Sequence, residues 1–153
     1  MPLAAVTVEH FHRQVDVNVL GLLLATQEGV KLLGSDGGSI LNISSIAGPM
    51  PVPSGSVYSA TKAAVDAVTV ALCQELGPRR IRVNSLNPGM VETEGLHSGG
   101  LAESAFRKTV EAPTPLGRIA QPEDIARAAV FFASDDAGWV TGQSLILAGG
   151  QRQ

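Results

Sequence analysis

Three residues of this chain have types and spacing that could move a proton: Ser45, Tyr58 and Lys62. Tyr58 and Lys62 lie four positions apart, so on a helix they project from one face. A phenol ordinarily titrates near pH 10 and is a poor base at neutrality. An ammonium ~4 Å away, at an effective dielectric of ~20, contributes about 4 kcal/mol, or ~3 pKa units. That is sufficient to bring a phenol near working pH, where general acid/base transfer is most effective. Ser45 sits just beyond a strand-like run, where α/β sheets place functional groups. The chemistry suggested is proton transfer at an oxygen while hydride moves at the attached carbon, with the serine hydroxyl holding the substrate oxygen.

Other readings of the same residues compete. A Tyr-x-x-x-Lys pair on a helix is common and by spacing alone is weak. Ser59-Ala-Thr-Lys62 also fits Ser-x-x-Lys, the nucleophile motif of penicillin-binding proteins and serine β-lactamases. That chemistry further requires Ser-Asp-Asn and Lys-Thr-Gly elements, and neither occurs in the sequence. Ser44, the nearest competitor of Ser45, reads as a strand-end packing residue. Glu92 and Glu94 read as solvated acids, Trp139 as structural, and Cys73 as a small buried hydrophobe. His10, His12 and His97 have no ligand spacing, and one cysteine excludes both an intrachain disulfide and a Cys-rich metal site.

The elements that must position these residues follow from periodicity. Phe11, Val15, Val19, Leu22, Leu23 and Val30 recur near the helical period, which predicts a helix from Thr7 to Leu33 with Thr7 as N-cap. After Gly37-Gly38, the run Ser39–Ile43 predicts a short strand, followed by a loop from Ser44 to Gly55. A second helix spans Ser56 to Leu76, and Ile81–Leu86 is the next strand, followed by a turn at Asn87-Pro88-Gly89. From Val91 to Pro115 the chain reads as loop with a short helix over 101–110. Pro122, Glu123 and Asp124 open a third helix with Pro at N1 and acids in the first turn, ending near Ser134. Gln143–Leu147 is the last strand. Helices alternating with short Val/Ile/Leu-rich strands predict an α/β fold with a parallel sheet.

The chain of 153 residues is the size of one domain, with 44% hydrophobic and 16% charged residues. Its net charge of −3 is spread without a basic block, so no nucleic-acid partner is expected. The start MPLAAVTVEH lacks the features of a signal peptide. The apolar stretch Val19–Ala25 is far short of the ~20 residues that span a bilayer. No membrane association and a cytoplasmic location are expected.

The words around the three residues add to this reading. NISSIAG (Asn42–Gly48), YSATK (Tyr58–Lys62) and RVNSLNPGMVET (Arg82–Thr93) resemble the short-chain dehydrogenase/reductase family in order and spacing. The interval of 13 between Ser45 and Tyr58 matches that family's arrangement. VNVLG (Val17–Gly21) and PLGRIAQPEDIARAAVFFASDDAGWVTGQ (Pro115–Gln143) resemble two further family segments. The likeness runs from about residue 7 to residue 150. It singles out no one substrate, being shared by glucose dehydrogenase-like and beta-ketoacyl-carrier-protein reductase-like members.

The resemblance implies a role for each matched residue. Tyr58 is the acid/base, and Lys62 lowers its pKa and bonds the nicotinamide ribose of NAD or NADP. Ser45 orients the substrate oxygen, and Asn18 holds a water that links Lys62 to solvent. Ile43, Pro88, Gly89, Met90, Val91 and Thr93 line the nicotinamide, with the Val91 backbone and the Thr93 hydroxyl on its carboxamide. Gly89 has a further rationale, since a residue without Cβ lets backbone approach a flat ligand. The implied substrate is a small alcohol or carbonyl compound, covered by Glu94–Pro113, where Arg107 and Lys108 are the only evident anion-binding residues.

The family's Gly-rich first βαβ half has no counterpart among the segments of this sequence: Gly34, Gly37 and Gly38 follow a helix, and Gly99-Gly100 lies in a loop. The expectation is one partial domain, the last three strands of a Rossmann-like doubly wound sheet with their helices. The strand Ser39–Ile43 would then have an open edge, implying either a homo-oligomer or pairing with a separate amino-terminal half. The alternative to an enzyme is a non-catalytic remnant that binds such a partner. Ala148 stands before Gly149-Gly150, where the family often has Asp.

Overall fold

The computed structural model describes residues 1–98 and 105–151. Helices α1 (Val8–Val15) and α2 (Gly21–Leu32) are joined without a break by a π-helical turn, Asp16–Leu20. Strand β1 (Gly38–Ile43) leads to the long helix α3 (Ser56–Leu76) and then to β2 (Ile81–Pro88). Short helices α4 (Glu94–Ser98) and α5 (Ala105–Glu111) precede α6 (Pro122–Ala133) and β3 (Ser144–Leu147).

The strands form one parallel sheet in the order β1-β2-β3. Successive side chains on a strand alternate between faces. On β1, Asn42 donates to Thr69 Oγ1 of α3 at 2.9 Å, and Ser39 donates to the Phe132 carbonyl of α6 at 2.9 Å. Their odd separation therefore places α3 and α6 on opposite faces of the sheet. This is the α/β class anticipated from the sequence.

β2 is central and buried on both faces, which explains its composition. Ile81, Val83 and Leu86 are buried; Ile81 and Val83 join Leu76 in a core flanked by Val30, Leu33, Ile40 and Leu72. Its buried polar residues need partners, and they have them: Asn84 donates to the Val140 carbonyl and accepts from the Gln143 amide. The orphan carbonyls at helix ends are met by arginines. Arg79 donates to the carbonyls of Val30 and Leu33 in the last turn of α2 and just past it, and Arg82 donates to those of Phe132 and Ser134 at the end of α6.

Several sequence expectations are corrected. The helix starting at Thr7, whose side chain accepts from His10 N at 3.1 Å, is not uniformly α-helical, because one turn around Asn18 is widened to i→i+5 bonding. Asn87 and Pro88 continue β2 instead of forming a turn, pairing with Ile146 and Leu147. Proline is tolerated because it closes the strand and contributes its carbonyl, which accepts from Ile46 N at 2.9 Å. Helix α4 was not anticipated, and the short helix expected over 101–110 runs from Ala105 to Glu111. Residues 101–104 of that expectation, and Gly99-Gly100, lie outside the described residues.

Among the described residues no strand pairs with the outer edge of β1. Apolar side chains also face solvent along α2, notably Leu23, Leu24 and Leu32.

Candidate active site

The carboxyl-terminal edge of the sheet carries the candidate residues. β1 ends at Ile43 and runs into Ser44 and Ser45, and α3 then brings Tyr58 and Lys62 back across that edge. Lys62 Nζ donates to the Ile43 carbonyl at 3.0 Å and lies 5.7 Å from the centre of the Tyr58 ring, within cation–π range. Burial pushes the Lys62 ammonium below the ordinary lysine range, while the nearby Asp66 carboxylate opposes that shift.

The Ser45 loop is held against α3 by close packing. Gly48 allows it: a Cβ there would lie 3.1 Å from the Ala63 nitrogen and the Lys62 carbonyl carbon. Ser44 is buried and donates to the Lys62 carbonyl at 2.9 Å, so it is the packing residue and Ser45 the partly exposed one. Ser45 Oγ accepts from Ala47 N at 3.1 Å. Asn18, on the π turn, donates to Gln14 Oε1 at 3.2 Å and to Thr61 Oγ1 at 3.1 Å. Thr61 donates in turn to the Tyr58 carbonyl at 2.7 Å, coupling the π turn to α3.

The remaining predicted residues follow β2. Pro88 and Gly89 lie beside β3, and Gly89 N donates to the Leu147 carbonyl at 3.0 Å. A Cβ on Gly89 would lie 3.0 Å from the Ala148 Cβ, so close packing on Ala148 itself accounts for glycine here. Met90 packs with Leu96 and Ile119, and Val91 bridges to Ala120. Thr93 Oγ1 accepts from Leu96 N at 3.3 Å and so caps α4.

Of the two loop acids Glu94 is exposed, as expected, whereas Glu92 is not simply solvated. Glu92 is mostly buried and paired, with Arg107 Nη1 at 2.8 Å and His97 Nε2 at 2.9 Å. Arg107 also pairs with Glu111 at 2.9 Å, so it ties the Glu92 loop to α5 and is committed within the protein. Ser59 Oγ is buried and has no hydrogen-bond partner among the described residues, and its burial removes it as an accessible nucleophile. Among the described residues no His/Cys/Asp/Glu cluster could hold a metal ion, and no helix is long and apolar enough to cross a membrane.

Sequence reasoning missed Asp66. Its Oδ1 accepts from Ser85 Oγ at 2.9 Å and its Oδ2 from Asn87 Nδ2 at 2.7 Å. The only available signal was an acid one helical turn after Lys62, a pattern usually left in solvent. The cavities divide around the site. A recess of about 180 Å³ lies behind Met90, lined also by Val110, Ile119, Leu147 and Ala148, and none of Ser45, Tyr58 or Lys62 borders it. Another, of about 230 Å³, is bordered by His10, Gln14, Val57 and Tyr58. The second borders one of the candidate residues, Tyr58.

A three-stranded parallel sheet flanked by helices, with Tyr58 and Lys62 of α3 against the carboxyl-terminal end of β1, defines a partial Rossmann-like fold. The profile of the family described as Enoyl-(Acyl carrier protein) reductase matches residues 1–152. An uncharacterized oxidoreductase of Methylorubrum extorquens is 53% identical over 147 residues, covering 96% of this chain and 59% of its own length. A short-chain type dehydrogenase/reductase from Mycobacterium ulcerans superposes with a TM-score of 0.90 at 36% identity, over 97% of this chain and 54% of that one. A 3-ketoacyl-(acyl-carrier-protein) reductase from Brucella melitensis, solved with NADH, superposes with a TM-score of 0.87 at 36% identity, over 98% of this chain and 61% of that one. The chain belongs to the short-chain dehydrogenase/reductase family. It spans 57% to 60% of the length of the curated relatives it matches first.

Proposed function

We propose that this chain carries the reacting side chains of an NAD(P)-dependent oxidoreductase that interconverts an alcohol and a carbonyl compound. The observation that carries the reading is the grouping of Tyr58 and Lys62 on one face of α3 against the end of β1, within a family of dehydrogenases and reductases.

The residues present suit the nicotinamide end of such a cofactor. Lys62 has three N–H donors and gives one to the Ile43 carbonyl, so two remain for ribose hydroxyls. Accepting a bond from Leu96 N leaves the Thr93 hydroxyl hydrogen available to a carboxamide. Ile43 is 53% exposed at the strand end and offers an apolar surface. Pro88, Gly89, Met90 and Val91 continue that surface along the end of β2. When bound, the cofactor supplies or accepts the hydride.

In the reducing direction, Tyr58 gives its hydroxyl proton to the substrate carbonyl oxygen as that carbon receives hydride. In the oxidising direction, the phenolate takes the proton from the alcohol. The Lys62 ammonium stabilises the phenolate electrostatically. Ser45, whose Oγ already accepts from Ala47 N, keeps its hydrogen for the substrate oxygen. Asn18, joined to α3 through Thr61, would hold a water that links Lys62 to solvent.

A second reading concerns the partner. The outer edge of β1 has no strand against it among the described residues, and the chain spans 57% to 60% of its first curated relatives. The chain is then one part of a single domain, completed by a family amino-terminal segment or, in its absence, shielded by self-association.

Titration with NADH and NADPH, followed by nicotinamide fluorescence, tests the first reading. Saturable binding that is lost in Lys62→Ala supports it. If millimolar cofactor does not bind, addition of a complementary amino-terminal segment decides between them: restored binding supports the second reading, and continued silence rejects the enzyme for this chain.

A further inference from the structure

We infer that Asp66 is a positioning residue that locks the Ser45 loop, β2 and the Tyr58/Lys62 face of α3 into one unit. The inference rests on the reading of Ser45, Tyr58 and Lys62 as the reacting group, and it adds a residue outside that group.

The geometry is a three-way tie. Asp66 lies one turn beyond Lys62 on α3, and its two carboxylate oxygens accept from different side chains of β2, Ser85 Oγ at 2.9 Å and Asn87 Nδ2 at 2.7 Å. Asn87 Nδ2 also donates to the Ser45 carbonyl at 3.3 Å. One amide group therefore connects the helix bearing the lysine to the loop bearing the serine. The Ser85 and Ser144 hydroxyls lie 2.8 Å apart, which extends the tie to β3. Gly48 brings the same loop close from above, since a Cβ there would lie 3.2 Å from Asp66 Oδ2.

Burial makes this arrangement stiff. Ser85 and Asn87 are fully buried in the central strand, where an unmet donor is costly, so neither can turn to water if Asp66 moves. The carboxylate has a second effect through space. Lys62 meets the Ile43 carbonyl from β1, and the Tyr58 ring and Asp66 from its own helix. Asp66 supplies a negative charge that opposes the effect of burial on the Lys62 ammonium. Asp66 touches neither the substrate oxygen nor the cofactor in this scheme. It acts through Asn87 on Ser45 and through its charge on Lys62.

The test reads Lys62 directly in this chain without cofactor or substrate. The sequence has three lysines, Lys31, Lys62 and Lys108, so reductive methylation with isotope-labelled formaldehyde gives few, assignable NMR signals. In Asp66→Asn, Lys62 should titrate at lower pH than in wild type, and the amide signals of Ser45 to Gly48 should move. In Ser85→Ala, which keeps the carboxylate, Lys62 should titrate with wild type. A merely structural role would move Lys62 in both variants or in neither, and either result overturns the inference.

If Asp66→Asn does not fold, Asn87→Ala reads the other limb. Displaced Ser45 to Gly48 amides with an unchanged Lys62 titration support the tie, and unchanged amides overturn it. Failure of the enzyme reading is separately visible. Wild-type chain that binds neither NADH nor NADPH, but shows this titration pattern, keeps the role of Asp66 and loses the chemistry.

Discussion

Lys62 spans from α3 to β1 to place its ammonium 3.0 Å from the Ile43 carbonyl. The bond anchors a flexible four-carbon side chain at the strand end where the site opens. It also ties the charge of Lys62 to the stability of the folded chain.

That tie has a sign. Burial lowers the Lys62 pKa on folding, with Asp66 opposing, so just below the ordinary lysine value the unfolded chain holds more protons than the folded one. Stability then rises with pH through that alkaline window. Urea midpoints of wild type should gain on those of Lys62→Met as pH rises from neutral into it. A constant difference would show that Lys62 keeps its unfolded-state affinity for protons.

Asp124 gives the opposite behaviour in acid. Arg118 grips its carboxylate at 2.6 and 3.1 Å and the Gln121 amide donates at 2.7 Å, holding its pKa down at about 2 from an ordinary 3.8. Because the folded pKa is depressed, the stabilisation is fully present above the ordinary value and is lost as pH falls toward 2. Asp124→Asn should lower Tm near neutral pH, and the gap to wild type should close in acid. A gap that persists at the lowest pH would mean that the side chain acts by packing.

Gly89→Ala should destabilise the end of the sheet by about 1–3 kcal/mol, the usual cost of overpacking. The cause is the 3.0 Å approach of the new Cβ to Ala148. The double variant Gly89→Ala/Ala148→Gly should recover most of the loss in a denaturation cycle. Without recovery, the constraint at Gly89 lies in the backbone and not in Ala148.

Thr61→Val preserves shape in a buried site and removes the hydroxyl that joins Asn18 to the Tyr58 carbonyl. Asn18 keeps its bond to Gln14, so the loss should be about 0.5–1.5 kcal/mol. Hydrogen exchange should quicken in the π turn Asp16–Leu20. Unchanged protection there would show that the turn is held by its own backbone alone.

Local pattern made much of the molecule legible in the sequence. Apolar periodicity located the helical stretch of α1 and α2, Pro at N1 with first-turn acids located α6, and short apolar runs located β1 and β3, because helix starts and buried faces require those residues and spacings. The four-residue step from Tyr58 to Lys62 puts both on one helix face whatever surrounds the helix. The motifs from Val17 to Gln143 led to the family that the comparisons show. Where sequence reading failed, a contact from a distant segment decided the outcome. Asn87-Pro88 looks like a turn until β3 pairs with it, and Glu92 looks solvated until Arg107 and His97 arrive.

Sequence alone determined which residue types are present and which faces of their own helices and strands they share, since both are set by backbone geometry within a few residues. Only the tertiary structure decided that Lys62 meets Ile43 and that Asp66 serves Ser85 and Asn87 instead of solvent. Buried donors and acceptors must find partners, and which partner is within reach depends on how the sheet stacks strands far apart in the chain.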